Sequence, residues 1–167
     1  IVDDTPRVRQ AISYLLSKKD YEISTAGNAA EAINLLGERP ADLIILDVMM
    51  PETDGFQLCR QLKEYKETKD IPVIFVTAKT TPSDIAKGLA TGAVDYIKKP
   101  YNSEELLLRV ELHLKLKKSK DNEKSHMLRL KTLFEKYKEI SSCEACKKFF
   151  NEDYLKEMEE YIKGYEQ

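Results

Sequence analysis

At 167 residues the chain can hold one domain of about 120 residues plus a small appendage, and hardly two full domains. Hydrophobic content of 42% beside 34% charged residues reads as soluble, globular and helix-rich, and no apolar run approaches the roughly 18–20 residues of a membrane span. A formal charge of −2 excludes a global electrostatic footprint for nucleic acid, no secretory signal is visible, and three cysteines read as reduced cytoplasmic thiols.

Short apolar strands alternate with amphipathic stretches up to about residue 117. Ile1–Asp3 reads as a strand remnant, and its abrupt start suggests that a few residues precede it. It ends in the adjacent carboxylates Asp3 and Asp4, which repel one another unless a positive partner sits nearby. Thr5 and Pro6 suit the cap and first turn of a helix to Lys18, with Val8, Ala11, Ile12, Leu15 and Leu16 at helical spacing. Tyr21–Ala26 follows as a strand, then a helix capped by Asn28 and stopped by Gly37. Leu43–Leu46 is a continuous apolar run, as a central parallel strand covered on both faces requires. Gly55–Tyr65 is the next helix, Ile71–Val76 a strand, Ser83–Ala90 a helix and Tyr96–Lys98 a short last strand. A final helix of this region starts near Ser103.

Five strands alternating with five helices predict a doubly wound five-stranded parallel α/β sheet. Ligands of such sheets bind beyond the carboxyl ends of the strands. Asp3, Asp4, Asp47, Thr77 and Lys99 all fall at such ends. Taken singly, each has a plain structural reading as a cap, a turn or a surface charge. Together, three carboxylates make a hard oxygen site of the kind that holds Mg²⁺, with Lys99 as a second positive partner.

Residues 1–117 resemble the receiver domain of two-component response regulators. The resemblance rests on Val2-Asp3-Asp4, Leu46-Asp47-Val48-Met49-Met50-Pro51 with Asp54-Gly55, Val76-Thr77-Ala78, Gly92-Ala93, Asp95 through Pro100, and Glu104 through Leu107. It implies a flavodoxin-like fold and a phosphoacceptor at Asp47. Asp4 and Asp47 match the direct Mg²⁺ carboxylates, Met49 offers a backbone carbonyl, and Asp3 acts through water. Lys99 matches the lysine that pairs with the phosphoryl group and Thr77 the hydroxyl that moves onto it, while Tyr96 matches the aromatic that turns inward. Met49 and Lys79 fall where the family tunes hydrolysis, and the Lys99-Pro100 bond is expected to be cis. A histidine kinase or phosphotransfer protein is the implied partner, and autodephosphorylation the implied reversal, without turnover of a separate substrate.

Two other readings compete. A haloacid-dehalogenase-like phosphohydrolase also uses an Asp nucleophile with Mg²⁺, but wants a second Asp two residues later, where this chain has Thr5. A degenerate receiver, acting as a phosphorylation-independent binding or dimerisation module, should lack Asp47, Lys99 or an acidic partner, and all are present.

Beyond Ser103, helical projection gathers Leu106, Leu107, Val110 and Leu114 on one side and Leu108, Leu112 and Leu116 opposite. The first stripe can dock on the sheet; the second calls for a partner, and a homodimer through this helix and the tail is expected. His113 is expected to face solvent. Residues 117–126 are polar but unbroken by Gly or Pro, favouring a helical extension. Leu130, Leu133, Phe134, Tyr137 and Ile140 form one amphipathic face. Tyr154, Leu155, Met158, Tyr161, Ile162 and Tyr165 form another on a helix capped by Asn151, which together predict an αα-hairpin in 118–167.

Between them, Cys143-Glu144-Ala145-Cys146 supplies two of the four ligands a structural zinc wants. From Cys143 to Ile162 the segment resembles a small Cys-x-x-Cys module found after some sensor and receiver domains. Leu155 stands for its usual tryptophan, and a second cysteine pair is absent up to Gln167. Either the parent chain continues or the metal has been lost, so Zn²⁺ at Cys143 and Cys146 is not the expectation for this chain alone. Cys59 reads as a packing residue. With eleven basic and eleven acidic residues, 118–167 lacks the basic face of a DNA-binding output. It reads as a dimerising or signal-transmitting element.

Overall fold

The computed structural model describes residues 1–51, 53–141 and 152–165. In chain order the elements are α1 (Pro6–Ser17), α2 (Ala29–Glu38), β1 (Ile44–Leu46), α3 (Gly55–Glu64), β2 (Val73–Thr77), α4 (Pro82–Ala90), β3 (Asp95–Lys98), α5 (Ser103–Ser141) and α6 (Glu152–Tyr165). The chain divides into two compact units, 1–117 and 118–167.

In the first unit β1, β2 and β3 pair in that order, all parallel, with Ile44 opposite Val73 and Thr77 opposite Lys98. The sheet has three full strands, not the expected five. Val2 extends it by isolated parallel bridges to Leu46 on one side and Ala26 on the other. Four backbone bonds surround that bridge: Val2 N–H to Ile45, Asp47 N–H to Val2, Asp3 N–H to Ala26 and Ala26 N–H to Ile1. The ladder stops there because Asp3 turns away, its carboxylate accepting from Thr5 N–H at 2.9 Å. The segment after Tyr21 is correspondingly reduced to the bridge at Ala26.

Strand alternation sorts the core into two layers. Ile44, Leu46, Val73 and Phe75 pack on Ala29 and Ala32 of α2 and Phe56, Leu58, Cys59 and Leu62 of α3. Ile45, Ile74, Val76 and Ile97 face Ile12 and Leu16 of α1 and Leu106 and Val110 of α5. Helices on both faces of a parallel sheet explain why β1 and β2 are buried at every position and apolar up to Thr77.

Local chemistry fixes the helix starts. Asn28 accepts from Glu31 N–H at 2.9 Å, while Asp54 with Gln57 and Thr81 with Asp84 form capping boxes. Thr5 precedes α1 without a side-chain cap, leaving Pro6 to set the first turn. Gly37 does not end α2, which runs through Glu38, because the C-cap Arg39 has ordinary extended backbone that needs no glycine.

The α5 stripes separate as their spacing requires. Leu106 and Val110 are buried with Leu107 and Leu114 against them, whereas Leu108, Leu112 and Leu116 are 66%, 52% and 56% exposed. The helix continues unbroken through the polar stretch to Ser141. In the second unit Met127 and Phe134 of α5 meet Ile162 and Met158 of α6, and Lys138 pairs with Glu159 at 3.2 Å. Leu133 departs from expectation and is exposed. Cys143, Cys146 and Asn151 lie outside the described residues. No helix among the described residues is long and apolar enough to cross a membrane.

Candidate functional site

The parallel sheet delivers its polar residues to one edge. Asp3 follows Val2, Asp47 follows β1, Thr77 ends β2 and Lys99 follows β3. Lys99 N–H donates to the Thr77 carbonyl at 2.9 Å, so the two last strands stay in register up to the site.

Asp3 and Asp47 are 2% and 7% exposed, and an unpaired charge there would be strongly disfavoured. Lys99 resolves the conflict. Its ammonium donates to Asp3 Oδ2 at 2.6 Å and to Asp47 Oδ2 at 2.7 Å. Burial alone pulls the Lys99 ammonium down, but the hydrogen bonds and charges of Asp3 and Asp47 outweigh it and hold it above the usual lysine range. The second oxygen of Asp47 accepts from Met49 N–H at 3.1 Å, which fixes the carboxylate's rotation.

Asp4 is exposed and accepts from Thr5 Oγ1 at 3.2 Å. Asp3, Asp4 and Asp47 each present a carboxylate oxygen within 4.8 Å of the others. Hard oxygen donors, one of them open to solvent, suit a small divalent cation that keeps several waters. Met49 presents its exposed side chain to solvent beside this group.

Thr77 and Tyr96 are linked through one residue. Lys79 N–H donates to Thr77 Oγ1 at 3.3 Å, and the Tyr96 hydroxyl donates to the Lys79 carbonyl. Thr77 is fully buried, and the Tyr96 ring lies 5.7 Å from that of Phe75. Burial first, and then the charges of Asp84 and Asp47, push the Tyr96 phenol up to about 12. The Lys99-Pro100 peptide is cis.

Three features escaped the sequence reading. Arg9 donates to the Asp3 carbonyl at 2.6 Å and ties α1 to the acidic strand end. Gly55 is demanded by contact: a Cβ there would lie 2.1 Å from the Asp47 carbonyl oxygen. Its place directly after the capping Asp54 was the available signal. His113 does not face solvent but is only 12% exposed, 3.0 Å from Asp95, which also accepts from Arg109 at 2.7 Å. Burial pushes the Asp95 carboxyl up, and the bonds from Arg109, His113 and Tyr96 N–H outweigh it to hold it below the usual range. The one-turn spacing of Arg109 and His113 puts both on one helix face but does not name Asp95 as their target.

A family model described as the response regulator receiver domain matches residues 1–111. The chain belongs to that family. Over 115 residues it is 42% identical to the transcriptional regulatory protein ResD of Bacillus subtilis, covering 69% of this chain and 47% of ResD. Over 121 residues it is 41% identical to a probable cyclic di-GMP phosphodiesterase of Vibrio cholerae, covering 72% of this chain and 27% of that protein. Thus the chain spans less than half the length of either relative. The receiver domain of the Francisella response regulator 1452 superimposes with a TM-score of 0.64 at 30% identity, covering 68% of this chain and 93% of that one. The flavodoxin-like receiver fold and a role in two-component signalling follow from this membership.

Proposed function

We propose that this receiver accepts one phosphoryl group on Asp47 from a histidine kinase or phosphotransfer protein, and signals the change through α5 and α6. The observation that carries this reading is the bridge of Lys99 to Asp3 and Asp47, at 2.6 and 2.7 Å, beside a solvent-open third carboxylate.

Asp47 is the nucleophile. A carboxylate needs no base at neutral pH, so one of its oxygens attacks phosphorus directly. The phosphorus–nitrogen bond of a donor phosphohistidine breaks, the electron pair stays on the imidazole, and that ring recovers a proton from solvent. Lys99, already on Asp47 Oδ2, turns its donors toward the oxygens that gain charge. Asp3, Asp4, Asp47 and the Met49 carbonyl would hold Mg²⁺, which when bound supplies neutralising charge for those oxygens. Thr77 Oγ1 exchanges its bond with Lys79 N–H for one to the phosphoryl group, which couples the site to Tyr96 through Lys79. Water attack on phosphorus breaks the bond to Asp47 and releases inorganic phosphate.

The division at Lys117 supports a receiver at 1–117 and a helical output element at 118–167. A cytoplasmic location fits a kinase partner. The exposed Leu108, Leu112 and Leu116 support self-association through α5. Incubation with acetyl phosphate and Mg²⁺ tests the central step by intact mass. One phosphoryl group is expected, none with EDTA and none on Asp47→Asn; transfer that survives either change would overturn the reading.

A further inference from the structure

Gly88 is buried in the last turn of α4, where alanine is still the better helix former. No left-handed backbone conformation requires it there. Space does. A Cβ at Gly88 would lie 2.8 Å from Cε2 and 2.9 Å from Cδ2 of Tyr96, and 3.2 Å from Cε1 of Phe56. Real side chains do not approach that closely, so one group must move.

Phe56 and Phe75 are fully buried and hold each other edge to face at 5.2 Å. They have nowhere to go. Tyr96 is only partly buried, and the Phe75 ring backs it at 5.7 Å. Among the described residues, its tether at the far end is the hydroxyl bond to the Lys79 carbonyl. Rotation of Tyr96 away from α4 is therefore the least obstructed relief, and it breaks that bond.

We propose that Gly88 is a positioning residue for the switch: its missing side chain is the seat that admits the Tyr96 ring against α4. With the seat filled, Tyr96 turns outward, and the Lys79 carbonyl loses the partner that links it to the Thr77 side of the site. The consequence for signalling rests on the phosphoacceptor reading above, but the seat itself requires no phosphoryl group.

Two measurements on the full chain test it. The first is fluorine NMR after 3-fluorotyrosine incorporation, with the Tyr96 signal assigned by its loss in Tyr96→Phe. Gly88→Ala is expected to move that signal toward those of exposed tyrosines while leaving the others in place. The second is a thermal-unfolding cycle. Gly88→Ala should lower the midpoint by a few degrees when Tyr96 is present, and lose most of that effect when Tyr96→Ala has removed the closest ring, leaving only the 3.2 Å approach to Phe56 against alanine's better helix propensity. If Gly88→Ala alone fails to fold, rescue by Tyr96→Ala supports the seat and failure of rescue contradicts it. An unmoved Tyr96 signal, or the same midpoint change in both backgrounds, overturns the proposal. Neither readout depends on phosphorylation, so loading of Asp47 by acetyl phosphate, measured separately, reports whether the phosphoacceptor reading stands.

Discussion

Replacing Lys99 by methionine removes the ammonium that holds Asp3 and Asp47 together while keeping most of the side-chain volume. The Asp3 and Asp47 side chains are 3% and 9% exposed and that of Lys99 is 20% exposed, so solvent cannot fully replace the lost partner. At 2.7 Å and an effective dielectric constant of about 20, each ion pair has a gross attraction of about 6 kcal/mol. Desolvation of the three groups offsets much of that, and removing one partner of such a pair leaves a net loss of about 3–5 kcal/mol. Against a typical domain stability of about 5–15 kcal/mol, Lys99→Met should sit visibly nearer to unfolding.

Urea titration followed by circular dichroism measures this loss at pH 7. Mg²⁺ should return part of it, since a cation bound only to the folded state at 100 times its Kd adds about 2.7 kcal/mol. The second arm repeats Lys99→Met in an Asp47→Asn background, where one of the two stranded charges is gone. The loss should shrink by about 1.5–3 kcal/mol, the contribution of a charged hydrogen bond. The pH dependence has a definite sign. The folded-state Lys99 pKa is raised, so its contribution is fully present below the ordinary lysine value and vanishes as pH rises through the folded one. On the alkaline side, wild type and Lys99→Met should therefore converge only in strong alkali. A loss below about 1 kcal/mol in both backgrounds is what a solvent-screened surface pair gives, and it would refute the reasoning.

Asp4→Ala should weaken Mg²⁺ binding, read by calorimetry, by no less than the roughly 10–100-fold that loss of an outer-shell partner brings; unchanged affinity would remove Asp4 from the metal site. Absorbance titration should show one tyrosine, absent from Tyr96→Phe, that ionises only near pH 12. Because the unfolded phenol ionises near 10, that group should erode stability between about pH 10 and 12, and a step at the ordinary value would contradict the packing of Tyr96. Burying the exposed part of Leu108, Leu112 and Leu116 is worth roughly 3–5 kcal/mol before the cost of association. Sedimentation should then show self-association that tightens on phosphorylation and is lost in Leu112→Glu; a monomer at high micromolar concentration in both states would rule it out.

The parts of the fold that were legible are those where one residue's chemistry decides the local conformation. Asn28 announced α2 because its side chain accepts a free N–H group of the first turn; Asp54 and Thr81 do the same for α3 and α4, but were not read as caps from the sequence. The stretches Leu43–Leu46 and Ile71–Val76 announced strands because both faces of β1 and β2 are covered. The remnant Ile1–Asp3 and the segment Tyr21–Ala26 counted as two of the five strands because a short extended stretch reads alike whether it pairs once or four times. The acidic edge was legible for a similar reason: each of its members ends a strand, and charge demanded a partner for Asp3. Arg9, Gly88 and the pairing of His113 with Asp95 were not, because each depends on which elements meet in space. A glycine inside an amphipathic helix shows only that alanine was forgone; the ring that excludes a side chain lies on β3, eight residues away.

Borohydride reduction of the phosphorylated chain tests the account most directly. An aspartyl phosphate is an acyl phosphate, which borohydride reduces to the alcohol while unmodified carboxylates remain. After loading with acetyl phosphate and Mg²⁺, peptide mapping should place a single homoserine at position 47, dependent on Mg²⁺. Homoserine at Asp3, Asp4 or elsewhere, or none despite a phosphorylated intact mass, would contradict the assignment of Asp47 as the acceptor.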